Sequence, residues 1–263
     1  MEILVCVRRV PDTSENEIAL NTARDDIERD ELVYSINEPD NYAVEEALQI
    51  VARVGGNVKV VTVGGEDDEE ILRREMAMGA NHGALITDEA FAASDGRGIA
   101  TILKAFVQKG AYDLILTGVQ AEDGAAQVGG MLAAMLDYPF ASLVNSIEVL
   151  EGRKLKISRE IEGGNREMNE IDLPCVLSIQ TGINEPRYVG MRGIRAVASV
   201  PIATYGVEEL GLNANSVGAA AAKVKRADYF IPALGAGAMM LEGSREENIE
   251  KLLELVAAKG GLK

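Results

Sequence analysis

Three short apolar runs, separated by helix-period segments that end near glycine, constrain this chain more than any other feature. Ile3–Val7, Val58–Val63 (VKVVTV) and Asp113–Gly118 (DLILTG) are continuous rather than alternating, the pattern of strands buried on both faces of a parallel sheet. Between them, Asn41–Val54 places Ala43, Val44, Ala47, Leu48, Val51 and Val54 at helical spacing and runs into Gly55–Gly56. Glu69–Met78 runs into Gly79, and Gly98–Gln108 stops before Gly110. Strand and helix in alternation imply right-handed crossovers. The expected fold class is α/β, a doubly wound, mainly parallel sheet with helices on both faces.

After Pro139 the pattern changes. Ser142–Leu150 and Lys154–Glu160 flank Glu151-Gly152-Arg153, a β-hairpin extension, and strand character continues over Glu167–Gln180. Pro201–Asn215 reads as irregular, Ala219–Ala222 as featureless, and Ile231–Gly243 as a loose Gly/Ala/Met connector. Glu246–Ala258 then returns to an amphipathic helix with Ile249, Leu252, Leu253 and Val256 on one face and Ser244 as N-cap. The expected organisation is an α/β domain over residues 1–200 and a C-terminal arm with its helix over 201–263. On the residues alone, that helix either folds back on its own domain or reaches onto a partner.

Composition removes several classes of function. The net charge of −16 disfavours nucleic acid and anionic membrane surfaces, since Lys and Arg alternate with acids rather than cluster. No apolar run approaches the roughly 20 residues of a membrane span, and Met1 leads directly into a strand, so a cytoplasmic protein is expected. Cys6 and Cys175 sit in apolar strand-like runs and read as core thiols, with neither a disulfide nor a metal site expected. His82, the only histidine, follows a helix-ending glycine and reads as an exposed turn residue. No nucleophile–base pair can be assembled around it, so no catalytic residue is assigned.

Two segments carry chemistry. Gly118–Gly130, GVQAEDGAAQVGG, leaves the carboxyl end of a strand, where ligands bind in doubly wound sheets. Gly124, Ala125 and Ala126 let backbone N–H groups approach an anion, and a helix starting near Ala126 would add its positive end. An Asp123-Gly124 turn entering a helix accounts equally well for those residues locally. The second segment, Asn184–Ile194 (NEPRYVGMRGI), follows the strand-like Leu173–Thr181. Pro186 enforces an ordered non-helical exit, and Gly190 and Gly193 flank Met191 as an exposed apolar tip. Tyr188 packed on the core is the plainer alternative.

Both segments resemble motifs of the electron transfer flavoprotein beta subunit: L-P…N-x-P-R-Y for the second, and the nucleotide loop G-x-Q-A-x-D…Q-x-G for the first. Val7–Thr13 (VRRVPDT), Asn37–Glu46 (NEPDNYAVEE) and Glu75–Gly83 (EMAMGANHG) are similar to further family motifs, in order, so the likeness spans about residues 1–200.

The resemblance implies an electron carrier rather than an enzyme. It would pair with an alpha subunit that holds most of the FAD, and pass electrons from acyl-CoA-type flavin dehydrogenases of fatty acid oxidation to a quinone oxidoreductase or another acceptor. Carried over residue by residue, the nucleotide pocket comprises Cys6, Asn37, Glu38, Pro39, Asp40, Gly65, Gly118, Val119, Gln120, Ala121, Glu122, Asp123, Gly124, Ala125, Ala126, Gln127 and Val128, with Thr13 near the partner-held flavin. Tyr188, Met191 and Ile194 form the partner-recognition set. The loop is one residue shorter than the usual form, and Gly130 stands where bifurcating members carry proline, which favours structural AMP over a second FAD. A flavin-free, universal-stress-type ATP-binding protein is the alternative of a different class, distinguished by its lack of any NEPRY segment.

Overall fold

The structure is a computed structural model and describes residues 1–121, 124–233, 235 and 237–261. In chain order its strands and helices are β1 (Glu2–Cys6), β2 (Arg9–Pro11), β3 (Tyr34–Ile36), α1 (Glu38–Val54), β4 (Asn57–Val63), α2 (Glu69–Met78) and β5 (His82–Ile86). Next come α3 (Gly96–Val107), β6 (Leu114–Gly118), α4 (Val128–Leu136), β7 (Phe140–Leu150), β8 (Lys154–Ile161), β9 (Asn165–Asp172) and β10 (Cys175–Ile179). The chain ends with α5 (Met191–Val197), β11 (Ala203–Tyr205), α6 (Val207–Leu210), α7 (Gly218–Ala221) and α8 (Arg245–Ala258).

One nine-stranded sheet has the order β11-β5-β4-β1-β6-β10-β7-β8-β9, while β2 and β3 form a small antiparallel ribbon. From β11 to β7 every pairing is parallel, and β8 and β9 extend the sheet antiparallel. The apolar strand runs are explained by two cores, one on each face. Ile3, Val5, Val58 and Val60 pack with Ala43, Val44, Ala47, Leu48 and Leu72 of α1 and α2. Leu4, Val61 and Ile115 pack with Ile102, Leu103, Phe106 and Leu132 of α3 and α4. A strand covered on both faces has no polar side to show, so periodicity of two disappears from its sequence.

The strand order reverses beside β1. The chain builds outward through β4 and β5 on one side, then crosses to place β6 on the other. The crevice between the carboxyl ends of β1 and β6 is therefore the topological switch point of the sheet.

Several sequence expectations change here. Pro201–Asn215 contains β11, which pairs with β5 at the sheet edge, and α6, whose Leu210 enters the second core. Their brevity defeats any periodicity test. Glu167–Gln180 divides into β9, an exposed edge strand, and β10, a buried central strand, so the hairpin extension is a three-stranded meander of β7, β8 and β9. His82 opens β5 rather than lying in a turn, and is exposed there. The C-terminal helix forms as expected, with Ser244 Oγ accepting from Glu247 N–H at 3.3 Å and Glu247 returning to Ser244 N–H at 2.8 Å.

Candidate functional site: the β1–β6 crevice and the NEPRY segment

Asp40, in the first turn of α1, holds the crevice together. Its carboxylate accepts from Arg8 N–H at 2.9 Å, just past β1, and from Gly118 N–H at 2.8 Å, at the end of β6. The loop is closed from the other side by Asn37, whose Nδ2 donates to Gln120 O at 3.0 Å while its N–H donates to Arg8 O at 2.8 Å. Burial drives the Asp40 carboxyl up to about 7 against the opposing pull of these hydrogen bonds. Burial, with Asp40 second, also pushes the Cys6 thiol well above the usual range, so Cys6 is a neutral wall residue.

These contacts give Gly118 a structural role. A Cβ there would overlap Asp40 Oδ1 and crowd Pro39, so this glycine serves the Asp40 clamp. Its amide is already bound by that carboxylate. Any amide of the loop that could meet an anion accordingly lies further on. Gly124 N–H donates to Ala121 O at 2.9 Å, Gln120 Nε2 donates to Gly124 O at 3.0 Å, and Ala125, Ala126 and Gln127 are exposed. Ala126 has φ 53°, a left-handed conformation that costs a non-glycine residue energy and concentrates at functional loops. The helix expected to start near Ala126 begins at Val128, because Ala126 cannot be helical at that φ. Glu122 and Asp123 lie outside the described residues.

Residues that the sequence did not single out set the depth of the loop. Thr117 and Ser178 share a buried hydroxyl–hydroxyl hydrogen bond at 2.8 Å, and a Cβ on Gly129 would overlap Ser178 Oγ. Gly129 thus lets α4 start directly against the ends of β6 and β10, aiming its N-terminal amides at the loop. The first glycine of QVGG was the available signal.

Gly65 follows β4 and donates its N–H to Asp68 Oδ2 at 3.0 Å, while Asp68 pairs with Arg9 at 3.7 Å. Arg9 also lies 4.0 Å from the Tyr34 ring centroid, so the exits of β1 and β4 share one rim. Thr13 lies on an exposed turn in which Asp12 accepts from Ser14 N–H at 2.9 Å and Ser14 Oγ at 2.6 Å.

The NEPRY segment is clamped to the same helix that closes the crevice. Arg187 donates through Nε and Nη2 to Glu45 at 2.7 and 3.0 Å, and Asn184 Nδ2 donates to Tyr42 O and to Glu46 Oε2, each at 3.1 Å. Burial presses the Glu45 carboxyl upward, yet the Arg187 fork and Gln49 bring it below the ordinary carboxylate range. The AVEE and NEPRY motifs, far apart in sequence, are two halves of one joint.

Met191 does not sit in a loop. It is the first residue of α5, which packs on α2: a Cβ on Gly193 would lie 3.2 Å from Ala77 O, and Arg73 Nη1 donates to Val197 O and Val200 O at 2.9 and 3.1 Å. Gly190 and Gly193 look like loop residues in sequence, but one is an extended N-cap and the other permits close helix packing. Tyr188 is 92% exposed rather than packed on the core, Met191 is 65% exposed and Ile194 38%. All three are thus exposed apolar side chains on or just before α5.

Among the described residues no group of His, Cys, Asp and Glu could hold a metal ion, and no helix is long and apolar enough to cross a membrane. The family model described as "Electron transfer flavoprotein domain" matches residues 26–210. An electron transfer flavoprotein subunit beta of Methylophilus methylotrophus is 35% identical over 260 residues, covering 97% of this chain and 98% of its own. The subunit beta of Bacillus subtilis is 31% identical, covering 98% of each chain. Subunit CarD of the caffeyl-CoA reductase–Etf complex of Acetobacterium woodii is 34% identical, covering 93% of each chain.

Proposed function

Since the chain belongs to the electron transfer flavoprotein family, as a subunit of the beta type, we propose that it binds AMP in the β1–β6 crevice and pairs with an alpha subunit that holds FAD. The heterodimer then carries electrons from acyl-CoA-type flavin dehydrogenases to a quinone oxidoreductase, or to another acceptor. FAD supplies the redox chemistry when bound, and this chain supplies binding, spacing and docking without catalysis of its own.

The observation that carries the nucleotide reading is Asn37 Oδ1. It is a buried acceptor with no hydrogen-bond partner, beside the loop that the same side chain closes. A buried unmet acceptor costs about 1–3 kcal/mol, which a ligand N–H or O–H would relieve. Ala125–Gln127 and the start of α4 would present the amides for a phosphate, and the family resemblance adds Gly65 and Cys6 to the pocket. Thr13 is exposed, and in this reading it lies near the partner-held flavin.

Tyr188, Met191 and Ile194 are the docking patch for the donor dehydrogenase. The exposed apolar face of α8 is the arm that covers the alpha subunit, with Ile249, Leu252 and Leu253 each about half exposed. The complex is proposed to be cytoplasmic.

The test is to release nucleotide by acid from the purified heterodimer and weigh it. One AMP and one FAD per heterodimer are expected, and replacing Gly124 with Val should remove the AMP alone. Two FAD per heterodimer would support the second reading, a bifurcating carrier with flavin in this subunit. No nucleotide besides the alpha-held FAD would refute a bound ligand here.

A further inference from the structure

We infer that Ser94, Asp95 and Gly96 couple the nucleotide loop to the root of the C-terminal arm, so that a filled loop and a fastened arm favour one another. This rests on the nucleotide and arm readings above. The three residues precede and open α3, and they face two ways.

Toward the arm, Asp95 Oδ2 accepts from Lys223 N–H at 2.7 Å and from Val224 N–H at 3.2 Å. Ser94 Oγ accepts from Gly218 N–H at 2.9 Å, and Ala219 N–H donates to Ala92 O at 3.0 Å. Gly218 has φ 65° and its position leaves no room for a Cβ against Ala90 O, so this root has one seat. Beyond it the chain is exposed, with Val224 at 65%. Toward the loop, a Cβ on Gly96 would lie 3.1 Å from Gln127 Oε1 and 3.4 Å from Gln127 Cβ. Gln127 is the residue before α4, at the end of the loop.

The other Asp95 oxygen, Oδ1, caps α3 by accepting from Gly98 N–H at 2.9 Å. One carboxylate therefore sets the N-terminal turn of α3 and the arm root together, and that turn is in contact with the loop. A ligand that holds Gln127 in place holds the turn, and the turn holds Lys223 and Val224. By linkage the reverse follows with equal strength.

Asp95→Asn separates the two roles. The amide oxygen keeps the helix cap, since Asn is a good N-cap residue, while the amide N–H₂ meets the Lys223 and Val224 donors and breaks the root. Ser94→Ala removes the Gly218 anchor, together with the local bond from Ser94 Oγ–H to Phe91 O at 2.8 Å, and leaves both Asp95 oxygens in place. The full-length chain, freed of nucleotide, is titrated with AMP and with FAD while trypsin cleavage after Lys223, Lys225 and Arg226 is timed by mass spectrometry. In the native chain the bound nucleotide should slow cleavage about fivefold to tenfold. D95N should be cut fast with or without nucleotide and bind it about fivefold to tenfold more weakly, and S94A should shift the same way by less. Tight nucleotide binding with unchanged cleavage, and equal affinity in both variants, would overturn the coupling and leave the nucleotide reading standing. If neither nucleotide binds the native chain, the nucleotide reading falls and the coupling falls with it.

Discussion

Glu75 shows how far a single side chain can depart from its usual surroundings. It lies on the buried face of α2, fully sequestered, and neither carboxyl oxygen has a hydrogen-bond partner. Arg74 on its own helix favours the charge, but Asp40 and Glu45 of α1 oppose it and burial dominates, so the carboxyl is pushed up to about 8. The folded chain keeps this proton where the unfolded chain, ionising near 4.5, has lost it. Its stabilising contribution is thus whole below about 4.5 and is lost as pH rises toward about 8. Asp40 acts in the same sense up to about 7. Glu75→Gln should flatten the decline between pH 5 and pH 8, and at pH 8 it should stabilise the chain by on the order of a few kcal/mol. Urea melts at three pH values read this directly, and a variant that keeps the native slope would rule it out. EMAMGANHG showed a helix end in sequence; that its first glutamate is sealed under α1 depends on packing.

At the scale of elements, the most informative pair is α5 with α2. The sequence around Met191 carries too few residues between glycines for helical periodicity to be visible, yet Arg73 reaching Val197 O and Val200 O closes the far end of α5 and Gly193 seats its middle. An apolar side chain on a short, fastened helix loses little entropy on docking. Met191→Ala should therefore slow electron transfer from the donor dehydrogenase, with a docking loss of about 1–3 kcal/mol if the residue is an anchor. Flavin content and dithionite reduction should stay at native values. Normal transfer kinetics would exclude the anchor role, and loss of FAD would place Met191 at the alpha-subunit interface instead.

For the molecule as a whole, the decisive asymmetry is between a double-faced core and an uncovered tail. Residues 203–221 are fastened to the α/β body through β11, α6 and α7, and Val217 is fully buried. From Val224 onward most of the large apolar residues among those described are exposed, including Phe230, Ile231, Met239 and Met240. Tyr229 N–H still donates to Arg24 O at 2.9 Å. Cutting after Tyr229 should leave the body folded, with an unchanged thermal midpoint for the core, and should abolish copurification with the alpha subunit. Full recovery of the heterodimer from the truncated chain would mean that the tail is not the arm.

What the sequence determined by itself is everything that depends on neighbours along the chain. Continuous apolar strands, glycine-ended helices and a capping box at Ser244 follow from local periodicity and local hydrogen bonding, so the parallel α/β sheet and the last helix were legible. The motifs at Val7–Thr13, Asn37–Glu46, Gly118–Val128 and Asn184–Ile194 were visible only as separate stretches. Only the tertiary structure decided how they meet: Asp40 spans Arg8 and Gly118, Asn37 reaches Gln120, and Glu45 receives Arg187 across 142 positions of sequence. Those contacts, like the three-residue β11 and the buried acid at Glu75, arise from crossover topology and desolvation. Neither leaves a periodic trace, because each depends on which distant surface the fold brings against a residue.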